Sequence, residues 1–121
     1  MSEKIEWASP AALGLAGFGL TTVLLNIHNA GLIAVPTATF CLGFFYGGLI
    51  QIIAGIIEGK RGEIFGLTAF TSYGAFWIAL SLAMVLNWLG IAEVTATELG
   101  YAMFLWGLFT LYLTVGSFKV S

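Results

Sequence analysis

Trp7 to Ile57 reads WASPAALGLAGFGLTTVLLNIHNAGLIAVPTATFCLGFFYGGLIQIIAGII and contains no Asp, Glu, Lys or Arg. Its one ionisable break near neutral pH is His28. A water-soluble domain in a chain of 121 residues has too little interior to hide such a run from solvent. One membrane crossing takes roughly 20 apolar residues, so the run suits two crossings joined by a short turn. Two more uncharged runs follow, Ile64 to Ala92 and Leu99 to Phe118. The fold class is therefore an all-α integral membrane protein.

Composition agrees. Hydrophobic residues make up 60% of the chain and charged residues 8%, and the mean hydropathy is +1.01. Soluble domains carry about 25% charged residues, so a soluble reading is excluded. Four basic residues cannot form a phosphate-reading patch, so nucleic acid is not an expected partner. The lone Cys41 reads as a small apolar packing residue. The first apolar segment lacks a compact core ending in a small-residue cleavage site, so it is not read as a cleaved leader. A β-barrel would alternate apolar and polar residues. Leu49-Ile50-Gln51-Ile52-Ile53 does not.

The runs predict one transmembrane domain over 1–121, with four helical spans at about 9–30, 37–58, 64–88 and 99–119. Pro10 sits near the first helical turn, where its missing N–H does no harm. Gly31 and Pro36 bracket the first turn, and Gly59-Lys60-Arg61-Gly62 makes the second. Asn87 to Thr97 makes the third, with Glu93 and Glu98 in the loops on that side. Trp7, Trp88 and Tyr101 fall near span ends, as interfacial aromatics do. Lys4, Lys60, Arg61 and Lys119 all fall on one side of a four-span chain. The positive-inside rule makes both termini cytoplasmic.

The polar residues inside the spans carry the functional information. Phe18, Thr22, Asn26 and Asn29 share one helical face. Amides facing lipid are costly, so this face lines either a helix interface or a wet cavity. Gly43, Gly47, Gln51 and Gly55 repeat every four residues. Gly43-x-x-x-Gly47 is a close-packing motif. Gln51 amid these glycines either glues two helices or presents its amide to a solute. In the third span Thr68, Thr71 and Ser72 share a face flanked by Tyr73, between Gly66 and Gly74. If these glycines loosen the helix, freed donors suit a partly dehydrated anion. The alternative is back-bonding of each hydroxyl to its own helix. Gly107, Thr110, Thr114 and Ser117 form a packing face on the fourth span.

No acid or base lies deep in a span, so a voltage sensor or a tight site for a strong ion has no support. No catalytic triad or metal-ligand spacing is present, and no cofactor is expected. His28 near one end of the first span and Glu58 near the other end of the second are candidates for proton exchange. Their plain alternatives are a capped interfacial histidine and a solvated glutamate.

The stretch Phe65-Gly-Leu-Thr-Ala-Phe-Thr-Ser-Tyr-Gly-Ala-Phe-Trp77 resembles a signature of the acetate uptake transporter family. So do Leu13-Gly-Leu, Gly17-Phe18-Gly19, Asn26-Ile-His-Asn29, Phe45-Tyr-Gly-Gly48 with Gln51, and Leu105-Trp-Gly-Leu-Phe-Thr110. The resemblance implies transport of acetate and similar short monocarboxylates, with succinate a further candidate, across an inner membrane and linked to protons. It also implies a homo-hexamer with one six-helix pore per protomer. It assigns a constriction to a Phe, a Tyr and a Leu. The first two match Phe18 and Tyr73, and the Leu lies in a fifth helix that this four-span chain is expected to lack. On this reading Thr22, Asn26, Gln51, Thr68, Thr71 and Ser72 offer hydrogen bonds to the carboxylate. The rival is a non-transporting membrane subunit or an inactive fragment, in which the same stripes only hold helices together. The family's opening Asn-Pro-Ala-Pro-Leu-Gly-Leu is here Ser9-Pro10-Ala11-Ala12-Leu13-Gly14-Leu15. Ser9 keeps a capping oxygen, and the second proline is gone.

Overall fold

The computed structural model describes residues 6–119, so Lys4 lies outside the described residues. Among these, four helices are long and apolar enough to cross a membrane: Ala11–Asn29, Thr37–Lys60, Ile64–Trp88 and Ala96–Ser117. The chain divides into two compact units, one reaching to Ser81 and the other running from Leu82.

Each turn between helices contains a glycine at positive φ. Gly31 stands at 87°, Gly62 at 79° and Gly90 at 75°. A side chain there would meet the left-handed penalty, whereas glycine reverses the chain without strain. These residues stop one span and start the next.

The first unit is held by backbone approach. Its apolar core side chains are few: Ala54, Phe70 and Trp77 are buried. Glycines do the rest. The second and third helices run antiparallel, in a register read from their contacts. Glu58 lies on Gly66, Gly55 on Thr71, Ile52 on Gly74, Gly48 on Ile78, and Gly43 on Ser81. A Cβ on Gly55 would stand 2.7 Å from the Thr71 backbone nitrogen. Such seams are the expected use of small residues in membrane helices, where lipid removes the hydrophobic drive between spans and close packing replaces it. Gly43, Gly47, Gln51 and Gly55 are all buried, so the four-residue repeat of the second span is a packing stripe. The first helix runs parallel to the third, with Gly14 against Phe70 and Phe18 against Tyr73.

Gly66 and Gly74 do not loosen the third helix, which is continuous from Ile64 to Trp88. They seat Glu58 and the second-helix backbone instead. The irregular segment lies in the second helix. Phe45–Ile50 widens into a π-helical turn between two α-helical stretches, Thr37–Phe44 and Gln51–Lys60. Such turns occur mostly as single insertions and gather at functional sites.

In the second unit, Asn87 ties the last turn. Its Oδ1 accepts from the Val94 N–H at 3.0 Å. The fourth helix starts at Ala96, three residues before the run of uncharged residues begins. Thr95 is the reason: its Oγ1 accepts from the Glu98 N–H at 3.1 Å. Thr95-x-x-Glu98 is the pattern of a capping box, so Glu98 belongs to the first helical turn rather than the loop. Thr110, Thr114 and Ser117 each donate to a carbonyl of their own helix.

Candidate functional site

Phe18 and Tyr73 meet edge to face. Their ring centroids are 5.3 Å apart and their planes are 81° apart. That is a favoured aromatic geometry, in which the positive edge of one ring meets the negative face of the other. The parallel register of the first and third helices brings the two positions to one level. Phe18 remains 36% exposed, so the pair stands at an open face rather than inside the seam.

The first-helix row continues from this pair. Thr22 Oγ1 donates to the Phe18 carbonyl at 2.7 Å, and Asn26 Nδ2 donates to the Thr22 carbonyl at 2.9 Å. Phe18, Thr22 and Asn26 are thus linked as a ladder along one face. A threonine hydroxyl has one proton to give. Thr22 gives it to the backbone and keeps lone pairs that accept. Asn26 is exposed and keeps a second N–H and its carbonyl oxygen, so it is the member of this row that can still donate.

The third-helix residues divide between two faces. Thr68 Oγ1 donates to the Ile64 carbonyl at 2.9 Å, and Thr71 Oγ1 donates to that of Leu67. Back-bonding is therefore what both hydroxyls do. Thr71 turns its methyl toward Gly55 in the seam. Ser72 is half-buried beside Tyr73 in sequence. Gln51 also belongs to the seam. It is 1% exposed, and its Nε2 donates to the Gly47 carbonyl at 2.7 Å. An amide so placed is not presented to an open face.

The two proton-exchange candidates have partners. His28 Nδ1 lies 2.6 Å from the Ile33 carbonyl, so Nδ1 is the donor in this contact. The ring pins the turn after the first helix. Glu58 is buried, and its Oε1 accepts from Arg61 Nη1 at 2.6 Å. It is neither solvated nor alone. The i, i+3 spacing of Glu58 and Arg61 on one helix end was the readable signal for this pair. Among the described residues, no group of three His, Cys, Asp or Glu could hold a metal ion.

Gly17 and Gly74 adjoin Phe18 and Tyr73 in sequence. Both sit against the backbone of the π-helical turn. A glycine beside each ring and the Gly47-Gly48 pair were the signals available.

Comparison with known proteins agrees with this fold. The sequence pattern of the GPR1/FUN34/yaaH family matches residues 1–121. The succinate-acetate/proton symporter SatP of Escherichia coli (strain K12) is 50% identical over 113 residues, covering 93% of this chain and 60% of that protein. Acetate permease A of Emericella nidulans is 39% identical over 113 residues, covering 92% of this chain and 38% of the permease. A solved structure of the bacterial acetate channel SatP superposes with a TM-score of 0.91 at 48% identity. That match covers 95% of this chain and 64% of the other. The chain thus spans about 60% of the length of the bacterial relative it matches.

Proposed function

This chain belongs to the GPR1/FUN34/yaaH family, and on that premise we propose that it forms one transmembrane domain lining a path for acetate and similar short monocarboxylates. The observation that carries the reading is the Phe18–Tyr73 pair, 5.3 Å between centroids, at the head of a polar row on an open helix face. Two rings at one level narrow a path and strip water. Thr22 and Asn26 beyond them supply polar groups to a solute that has passed. Thr68 and Ser72 serve the same solute from the third helix, and Thr71 and Gln51 support them from the seam. Relatives named for acetate and succinate–acetate transport support the substrate class. Protons are the proposed co-substrate, with His28 and Glu58 the candidate groups. The proposed setting is a cell inner membrane with both termini cytoplasmic, since Lys60, Arg61 and Lys119 share one side. The proposed assembly is a homo-oligomer, a hexamer by family resemblance.

The hydrogen bonds favour the neutral acid over the anion. Thr22, Thr68 and Thr71 donate to their own helices. Thr22 and Thr68 can accept from the O–H of a neutral acid but have no proton left for a carboxylate. No fixed cation lies in the uncharged runs to hold the anion. Uptake should therefore rise as external pH falls, because the protonated acid suits acceptors better than the anion does.

The test is labelled-acetate uptake into liposomes across a pH series, on protein shown to keep the wild-type assembly. Asn26→Leu removes the free donor, and Thr71→Val removes a hydroxyl while keeping the seam methyl. Each should reduce uptake, since an unmet polar partner costs about 1–3 kcal/mol. Intact variants carrying acetate at the wild-type rate at every pH refute the polar-path reading. The rival, in which these groups only hold helices together, predicts that assembly and uptake are lost together.

A further inference from the structure

The π-helical turn Phe45–Ile50 touches the neighbouring helices one residue away from each ring of the Phe18–Tyr73 pair. A Cβ on Gly17, the residue before Phe18, would stand 2.8 Å from the Tyr46 carbonyl oxygen. A Cβ on Gly74, the residue after Tyr73, would stand 2.7 Å from the Gly48 carbonyl oxygen and 2.9 Å from the Ile52 nitrogen. Backbone therefore comes close to backbone on both flanks, and on the Gly74 flank the Ile52 side chain also stands 2.6 Å from the same point.

The turn is itself held by one buried side chain. The Gln51 N–H goes to the Gly48 carbonyl, and Gln51 Nε2 goes to the Gly47 carbonyl at 2.7 Å. A π-turn departs from the i→i−4 ladder and needs its displaced carbonyls met by other donors. Gln51 supplies one from a position that is 1% exposed, where water cannot substitute.

We propose that this turn is the spacer that sets the gap between Phe18 and Tyr73, and that Gln51 is the positioning residue that keeps the spacer wide. The inference rests on the acetate-path reading for its functional consequence, but the spacing itself can be measured without transport. Without the Gln51 amide, the Gly47 carbonyl loses a buried donor that water cannot replace. The available repair is closure to an α-turn, which is slimmer and lets the flanking helices approach. Added bulk at Gly17 or Gly74 acts in the opposite sense, wedging a helix away from the turn.

The variants Gln51→Met, Gly17→Ala and Gly74→Ala therefore shift solute choice in opposite directions. In liposomes, Gly17→Ala and Gly74→Ala should raise the butyrate-to-acetate uptake ratio by about fivefold or more, and Gln51→Met should lower it by a similar factor. Gly19→Ala is the control, because nothing lies within 4 Å of a Cβ there. The second readout is cross-linking of a Phe18→Cys, Tyr73→Cys pair by a short bifunctional reagent in a Cys41→Ser background. Cross-linking should slow with either alanine and quicken with Gln51→Met. Simple destabilisation moves all three variants the same way. If one glycine variant fails to reach the membrane, the other carries the same expectation. Ratios and cross-linking rates matching Gly19→Ala, or moving in one common direction, overturn the proposal. Failure of the unaltered protein to carry acetate counts against the path reading, while the cross-linking rates still decide the spacer.

Discussion

The third helix has two working faces that differ in what they meet. Toward the second helix it presents Gly66, Thr71, Gly74 and Ser81 to a neighbour whose backbone comes within van der Waals reach. Toward the first helix it presents Tyr73 to the ring of Phe18, at an open face. Both faces carry hydroxyls, so a hydroxyl by itself does not distinguish them. Distance to the neighbour does. A small residue facing backbone is structural and intolerant of change, while a ring facing a ring can be altered and leave the fold standing.

The sharpest way to break this contrast is a branched side chain in the seam. A Cβ on Gly55 would stand 2.5 Å from Thr71 Cγ2 and 2.7 Å from the Thr71 nitrogen. The methyl has room to move only with its backbone. Overpacking costs about 1–3 kcal/mol where side chains can yield, and here backbone has to yield. Gly55→Val is expected to abolish folded protein, read as loss of the monodisperse species in mild detergent. A folded Gly55→Val protein would mean that the two helices are not held at this distance.

At the end of the same seam, the Glu58–Arg61 pair closes the turn between the helices. Glu58 is buried against Gly66, and the Arg61 side chain is 29% exposed. Removing one partner of a fully buried pair costs about 3–5 kcal/mol. Arg61 reaches solvent, so Glu58→Gln is expected to cost about 1–2 kcal/mol in denaturant unfolding. A double-mutant cycle with Arg61→Ala should return a coupling of similar size. A coupling near zero would show the carboxylate to be held by packing alone.

The ring face predicts the reverse balance of fold and function. Phe18→Ala forfeits an aromatic contact worth about 0.5–1.5 kcal/mol, and its partial exposure keeps the cost near the lower end. Solute choice, by contrast, should shift toward larger carboxylates, measured as the butyrate-to-acetate ratio on folded protein. An unchanged ratio would remove Phe18 from the narrow point.

Much of this architecture was legible in the chain itself. Charge-free runs marked the four helices, and Gly31 and Gly62 marked turns because the chain reverses there at positive φ. Gly43-x-x-x-Gly47 announced close packing for a physical reason that the seam repeats. The Phe18–Tyr73 meeting came from a helical stripe joined to a family resemblance. Periodicity, however, places residues on a face without saying what lies opposite. Thr71 and Gln51 were grouped with Thr22 and Asn26 by polarity, yet they face the second–third seam. The π-helical turn was not legible, because hydropathy has no means of reporting a change from i→i−4 to i→i−5 bonding. The start of the fourth helix was legible and misplaced: the uncharged run began at Leu99, but Thr95 and Glu98 form a cap that local hydrogen bonding dictates.

The smallest effect gives the finest test of how dry the seam is. Ser81 is 2% exposed, and its Oγ has no hydrogen-bond partner. It lies against Gly43, where a Cβ would stand 2.5 Å from that oxygen, with the Trp77 ring 3.2 Å from the same point. The spacing leaves no room for a bridging water. A buried hydroxyl with nothing to bond forfeits its solvation and gains no bond in exchange. Ser81→Ala removes that group and leaves a gap of one oxygen, so two small terms oppose each other. Relief of an unmet polar group is worth about 1 kcal/mol, and the lost contacts of a single atom are worth a few tenths. The net expectation is a stability change between zero and about 1 kcal/mol in favour of Ser81→Ala, measured by denaturant unfolding in detergent. Ser81→Val should instead destabilise, because a branched methyl has to enter the space that Gly43 leaves. A loss of more than about 1 kcal/mol in Ser81→Ala would mean that the hydroxyl finds a partner in the membrane. The seam would then be a wet interface, and its contrast with the ring face would fail at this level.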